Sequence, residues 1–485
     1  MPSTLVRARQ VIAFQDDRGH VLLEPGALSH MGGTIRWVGP PDQAPPCERE
    51  LDLGDALVTP GFVNLHTHVT TPATRSLRED QGNPLLYMSG LYELLPISWA
   101  MRPDEALVCA EATLIELLRC GSTTVLVMGT GIPEQVADLA RRLGMRVYIT
   151  PGYRSADWSV EPDGRHVVYT FDEARGEVGL ERNLAFARGV AGGATDDLVH
   201  ALLGPLQVDT CTPELLRKTR QAADRLGVPI QIHAGQSLLE FQEIRRRYGR
   251  TPVQFLHDIG LCGPDVSIAH AVFIAGHSWT ATPPEDDLEL LARSQTTVAH
   301  CPQVFARTGV SLESLPSYLR AGVRVALGTD TFPQDLLHEA RVAALLGKVA
   351  ARDARVPSAA SVFAAATLAG ADALGRSDLG RIAPGARADL LVWDLARVNL
   401  IPYRDPLRTL VYSGSPADLQ QVIVSGEVVV EGGRVLHADE AAVSSRLADA
   451  LAHLWSRLPE ADPARRTVEQ LSPTSLPRWS PASRR

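Results

Sequence analysis

Val58-Thr59-Pro60-Gly61-Phe62-Val63-Asn64-Leu65-His66-Thr67-His68-Val69 is an apolar run that ends in two histidines one residue apart. Side chains alternate faces along a strand, so His66 and His68 point the same way while Thr67 points away. Imidazole nitrogen is the commonest protein ligand for zinc and suits iron and other first-row metals. Two such nitrogens at a strand mouth make half a metal site. An isolated His-x-His more often marks incidental polar residues at a strand end, so the rest of the chain has to decide.

Moving outward, the texture after Val58 is one of apolar runs alternating with amphipathic helical stretches. Eight runs stand out: Val58–His66, Thr123–Met128, Arg146–Thr150, Leu198–Leu203, Pro229–His233, Val266–His270, Thr297–His300 and Val323–Leu327. Helical segments such as Pro103–Arg119, Glu134–Leu143, Pro213–Leu226, Thr251–Ile259 and Leu288–Ser294 lie between them. This alternation predicts an α/β fold, a (β/α)8 barrel with insertions over residues 58–376. Gly-rich phosphate loops, which would favour a doubly wound sheet, are missing. The polar stretch Asp157–Gly179 reads as irregular, either an active-site lid or a surface insertion. Residues 1–57 hold short β pieces broken by Gly and Pro clusters, too little to bury a core alone. β texture returns over 377–444, with Ala388–Trp393 and Leu419–Val430 as strands, and reads as the second half of the same small β unit. A helix over 445–456 and a tail rich in Pro, Ser and Arg fill 445–485; the tail reads as a wrapping or partly disordered extension.

Composition is that of a soluble globular protein, with 45% hydrophobic and 21% charged residues in 485. The net charge of −9 gives no reason to expect nucleic acid or an anionic membrane as partner. Cys47, Cys109, Cys120, Cys211, Cys262 and Cys301 are scattered, which argues against a disulfide framework or zinc ribbon. No signal core and no run of about 18 apolar residues occurs. The expectation is a soluble cytoplasmic protein with a small-molecule substrate.

Polar residues fall at corresponding positions on the runs. His66 and His68 end the first, His233 the fifth, His270 the sixth and His300 the seventh; Asp330, in Gly328-Thr329-Asp330, ends the eighth. In a barrel these C-terminal ends converge on one face. Any one of the histidines is compatible with strand packing. Six ionisable side chains at the ends of five strands point instead to a metal-dependent active site.

The pieces resemble the amidohydrolase superfamily, in particular its aminohydrolase and chlorohydrolase branch acting on triazines, guanine-like bases and related N-heterocycles. The resemblance is carried by Pro60–His68, Gly121-Ser122-Thr123-Thr124, Ile232-His233, Ala269-His270, Ala299-His300-Cys301-Pro302 and Gly328-Thr329-Asp330. It continues through Asp378-Leu379-Gly380 and Ala383–Leu390, which resembles the family's return into a β-sandwich. It implies that His66, His68, His233 and Asp330 ligate one divalent metal per chain, with Zn(II) favoured and Fe(II) or Mn(II) also suited. Asp330 would accept the proton of an activated water, His270 would orient that water or stabilise the attacked atom, and His300 would face substrate. Binuclear members use a carboxylated lysine at the end of strand four. Here that strand reads Leu202-Leu203-Gly204-Pro205, and the only lysines are Lys218 and Lys348, so a mononuclear site is expected. Family members are often dimers or larger, which makes a homodimer or higher homo-oligomer the expectation.

One departure bears on chemistry. Deaminases of this branch place a glutamate three residues after the fifth-strand histidine, as proton shuttle; this chain has Gln236. Glutamine can hydrogen-bond substrate but cannot take and return a proton. Either Glu240 one turn on substitutes, or His270 and Asp330 manage the proton, or the leaving group needs little protonation. The leading expectation is hydrolysis of a C–N bond in a small N-heterocycle or cyclic amidine. Dechlorination or ring opening of a cyclic amide stands second, and a catalytically silent heterocycle-binding relative third. Trp99, Trp158, Phe273, Phe305 and Phe332 are candidates to stack on a planar ring, and Arg78 and Gln303 to bind its polar substituents.

Overall fold

The computed structural model describes residues 2–83, 86, 88, 90–92, 97, 100–161, 164–193, 197–313, 315–462 and 464–479; the Trp99 expectation lies outside them. Eight parallel strands appear in chain order: β1 (Phe62–Thr67), β2 (Ser122–Val127), β3 (Arg146–Ile149), β4 (Val199–Ala201), β5 (Ile230–Ala234), β6 (Val266–His270), β7 (Thr297–His300) and β8 (Val325–Leu327). They pair as two four-stranded sheets, β4-β3-β2-β1 and β5-β6-β7-β8. Parallel bridges Leu203–Ile230 and Thr67–Asp330 join the sheets at both edges, so every strand has a neighbour on each side. Strands buried on both faces read as near-continuous apolar runs, which is why the pattern was visible in the sequence.

The first run is two strands rather than one. Ala56–Pro60 belongs to a separate seven-stranded sheet, pairing antiparallel with Leu390–Asp394. Gly61 N–H donates to Asp389 O at 2.9 Å and Phe62 N–H to Gly121 O at 3.1 Å, so the chain changes sheets across Pro60-Gly61. That sheet takes strands from both ends of the chain, among them Gln10–Gln15, Leu390–Asp394, Leu419–Val424 and Glu427–Glu431. A second sheet holds Thr4–Ala8, Gly26–Met31, Thr34–Gly39 and Arg49–Asp52. Val6, Leu28 and Ile35 of the smaller sheet share one buried cluster with Val11, Val58, Leu390 and Val392 of the larger. Alternate residues Leu57, Leu391 and Trp393 turn the other way, into the large cluster that packs the ring's strands against their helices.

Arg146, the first residue of β3, is fully buried and clamps ring and sheet together. Its guanidinium forms an ion pair with Asp389 and donates to Ser425 Oγ at 2.8 Å and Asp197 O at 3.0 Å. Asp389 also accepts from Ser425 N–H at 2.7 Å.

Two readings need correcting. Asp157–Gly179 is regular: Ala156–Val160 and Val167–Phe171 form an antiparallel hairpin, followed by a helix over Glu173–Ala191. Alternating Trp158, Val160, Val167 and Tyr169 pack with Leu86 and Tyr92, so the polar residues form the hairpin's other face. The terminal helix spans Glu440–Ala461 and is fastened, with Arg446 on Glu111 and Arg457 on Glu105, each at 2.7 Å. Trp455 Nε1–H donates to Ala73 O at 3.0 Å, and Leu454 and Leu458 bury against Ala73, Leu77 and Ile97. A last turn, Val468–Leu471, packs onto the same cluster.

Because Asp389→Ala leaves the buried Arg146 guanidinium with only the partly exposed carboxylate of Asp197, 3.5 Å away, as counter-charge, it should destabilise the protein by about 3 kcal/mol. Urea unfolding monitored by circular dichroism checks this, and a loss below about 1 kcal/mol would show that the pair is not the clamp.

Candidate active site

The C-terminal ends of β1, β5, β6 and β8 bring His66, His68, His233, His270 and Asp330 into one cluster. Nε2 of His66 and of His68 lie 3.7 and 3.6 Å from Asp330 Oδ1, and His270 Nε2 lies 3.9 Å from Asp330 Oδ2. His68 Nε2 and His233 Nε2 are 3.2 Å apart. The remaining ring nitrogens explain this arrangement. His66 Nδ1–H donates to Gln231 Oε1 at 2.7 Å, His68 Nδ1–H to Met128 O at 2.8 Å, and His233 Nδ1–H to Leu206 O. Each acceptor lacks a proton to give, so each imidazole in its neutral state keeps its proton on Nδ1 and turns an Nε2 lone pair inward.

Burial keeps His68 and His233 neutral. It lowers His68 to about 4, with the neighbouring His66 adding to the shift, and it drives His233 well below the usual histidine range. Burial would raise the Asp330 carboxyl, but the close approach of His66, His270 and His68 overcomes it and holds the group well below the carboxylate range. His66 Nε2 is buried with no hydrogen-bond partner among the described residues. Two facing lone pairs at 3.2 Å repel unless a cation lies between them. A tetrahedral ion with bonds of about 2.0–2.1 Å has edges of about 3.3 Å, close to the spacings seen. The residues fit a divalent metal.

The backbone is bent to achieve this. His270 and Asp330 have φ of +86° and +56°, a left-handed conformation that side-chain-bearing residues rarely adopt. Asp330 N–H donates to His66 O and His68 N–H to Asp330 O, both at 2.9 Å, which pins β8 to β1. A Cβ on Gly328 would sit 2.8 Å from the His66 Cβ, so only glycine permits this approach.

Above the cluster lies a cavity of about 420 Å³ whose walls include His68, Arg78, Arg154, Gln236, Asp330 and Thr331. Besides His68 and Asp330, the residues suggested from the sequence that reach it are Gln236 and Arg78. The Gln236 Oε1 is buried with no partner among the described residues. Glu240 is not in its wall. It sits in the first turn of the helix Leu238–Tyr248, capped by Ser237, and its carboxylate accepts from Gly235 N–H at 2.6 Å, Gln236 N–H at 3.1 Å and Gln207 Nε2 at 3.4 Å. It braces the loop that presents Gln236. Burial, with Asp209 nearby, pushes Glu240 well above the usual carboxylate range, and Asp209 itself up to about 6.

His300 is buried close to His270, on which it acts, and its Nδ1 has no hydrogen-bond partner among the described residues; burial lowers it to about 4. Phe305 packs edge-on against His270 at 4.9 Å. Phe273 is a fully buried core residue, Trp158 packs edge-on against Tyr92, and Gln303 and Phe332 line a different, outer cavity. Large aromatic side chains gain most from full burial, and these rings were accordingly drawn into packing. Gln231, missed at the sequence level, stands two residues before His233 on β5. That spacing puts both on one face, and was the available signal.

Three imidazoles and a carboxylate with inward lone pairs, at the foot of a cavity lined by polar and apolar side chains, define a metal-dependent hydrolase site. The Amidohydrolase family model matches residues 57–429, and the chain belongs to that family; it is a hydrolase acting on carbon–nitrogen bonds other than peptide bonds. The chain is 32% identical over 448 residues to 5-methylthioadenosine/S-adenosylhomocysteine deaminase of Pelotomaculum thermopropionicum, covering 91% of this chain and 96% of the relative. An adenosine deaminase from Xanthomonas campestris with bound zinc superposes with a TM-score of 0.78 at 24% identity, over 93% of this chain and 98% of that one. A variant of atrazine chlorohydrolase from Arthrobacter aurescens TC1, complexed with zinc and atraton, gives 0.76 at 25%, over 92% and 100%. Among the described residues no helix is long and apolar enough to cross a membrane.

Gln231→Ala removes the acceptor that orients His66, and should weaken metal retention about 10–100-fold. Chelator competition followed by elemental analysis checks this; retention equal to wild type would show that Gln231 does not set the ligand. Glu240→Ala is expected to lower turnover about tenfold or more through the displaced Gln236 loop while metal stays bound, with stoichiometry and activity measured on the same sample.

Proposed function

We propose that this protein is a metal-dependent aminohydrolase that removes the exocyclic amine of an adenine-type ring in a small nucleoside. The observation that carries this reading is the facing pair of His68 and His233 Nε2 atoms, 3.2 Å apart, beside Asp330. The adenine-nucleoside class is supported by the name of the 32% identical relative.

In this reading His66, His68, His233 and Asp330 hold one divalent ion, zinc by preference, as donor set and the zinc-bearing chlorohydrolase variant suggest. When bound, that ion supplies Lewis acidity that brings the pKa of water toward neutrality. Asp330, ionised by its surroundings, is the group able to accept a proton from attacking water. His270 has both ring nitrogens without protein partners among the described residues and sits beside Asp330, placed to take up or return that proton. Gln236 offers its amide to the ring as donor and acceptor but cannot take up and return a proton. The leaving amine is therefore protonated from the Asp330 and His270 side of the cavity. The strand ring is the (β/α)8 barrel, the two sheets built from both chain ends are a β-sandwich, and the helix and tail from Glu440 close one side.

Gln236 also favours the second reading, in which the same site expels a leaving group that needs little protonation, such as chloride, or opens a cyclic amide. Similarity to the chlorohydrolase variant fits this as well.

Metal-loaded protein should release ammonia from adenosine or 5′-methylthioadenosine, and Gln236→Glu should raise that rate if proton delivery limits it. Chloride or ring-opened product without ammonia, across a panel of amino-, chloro- and oxo-substituted heterocycles, would promote the second reading. No turnover on any of them, with metal bound, would contradict both.

A further inference from the structure

A second cavity adjoins the one above the histidines at Arg78. This residue, in the segment after β1, lines both the inner cavity and the second one, of about 280 Å³, and Gly90 lines both as well. Leu77, Gln81 and Asn83 bound the outer cavity on one side, Gln470 and Pro473 on the other. Its far wall thus comes from residues beyond 429, where the family match stops.

The charges around this passage do not balance. Arg307 is engaged by Glu79 at 2.7 Å and Thr331 Oγ1 at 2.6 Å, Arg154 by Asp157 at 2.6 Å and Arg466 by Asp462 at 2.8 Å. Arg78, half-buried, makes no hydrogen bond or ion pair among the described residues. The carboxylates that act on it are Asp330, which faces the histidines, and Glu79, which holds Arg307. A divalent ion on Asp330 leaves one net positive charge, and Arg78 adds another. A buried cation without a partner is costly, and a guanidinium fork matches carboxylate and phosphate oxygens in paired hydrogen bonds.

We propose that the outer cavity is a subsite for an anionic arm of the substrate, a carboxylate or phosphate carried by the ring's substituent and received by Arg78. The ring's identity rests on the deaminase reading above; the subsite does not. It selects against cationic arms and places the C-terminal segment in the substrate site.

The test is a matched pair, adenosine-5′-carboxylic acid and its neutral carboxamide, on metal-loaded wild type, Arg78→Gln and Arg78→Lys. Wild type should favour the acid by about tenfold or more in kcat/KM, with the difference in KM. Arg78→Gln should bring the ratio close to one, whatever it does to overall activity, and Arg78→Lys should retain part of the preference. Adenosine 5′-phosphate run alongside shows which anion the fork fits. A wild-type ratio near one, or a preference that survives Arg78→Gln, overturns the subsite while ammonia release upholds the deaminase. If neither compound is deaminated, the deaminase reading fails and thermal shift decides the subsite. Stabilisation by the acid over the amide that Arg78→Gln abolishes supports it; equal shifts overturn it.

Discussion

Everything in this molecule's chemistry depends on imidazole lone pairs being forced to face one another. Neutral His68 and His233 cannot relieve their contact by hydrogen bonding, because each has its one proton tied to a main-chain carbonyl, Met128 and Leu206 respectively. His66 is held in the same sense by Gln231. The anchors come from different strand ends, so the closed ring of strands, rather than any local motif, sets the geometry. The strained backbone at His270 and Asp330 belongs to the same arrangement, since sparsely populated conformations persist only where surrounding structure over-determines them.

The second structural unit supports that ring from the opposite end. Both faces of its seven-stranded sheet are buried, one on the smaller sheet and one on the ring, and the Arg146–Asp389 pair fixes the two together. The C-terminal helix works on the catalytic side. By burying Leu454 and Leu458 on Ala73 and Leu77 it ties down the segment after β1, and so the passage in which Arg78 stands. Site, ring and tail form a continuous chain of contacts.

Much of this was legible in the sequence because parallel strands buried on both faces leave uninterrupted apolar runs, and the ends of those runs mark one rim. β6 and β7 fall where those runs predict. What escaped depends on side-chain direction. Ser237-Leu238-Leu239-Glu240 has the spacing of a capped helix start, which explains why Glu240 turns back to backbone N–H groups instead of reaching the cavity. Phe273 and Gln303 were plausible by position alone; nothing local states that one fills the core and the other faces an outer cavity. The hairpin at Ala156–Phe171 was hidden because its exposed face is polar and its buried face meets a remote part of the chain.

The central claim is that His66, His68, His233 and Asp330 hold one metal ion. X-ray absorption at the zinc edge of the stoichiometrically loaded protein tests it most directly. The account predicts only nitrogen and oxygen neighbours at about 2.0–2.2 Å with outer scattering from three imidazoles, reduced to two in His233→Ala. A sulfur shell near 2.3 Å, or an imidazole count that His233→Ala leaves unchanged, would contradict it.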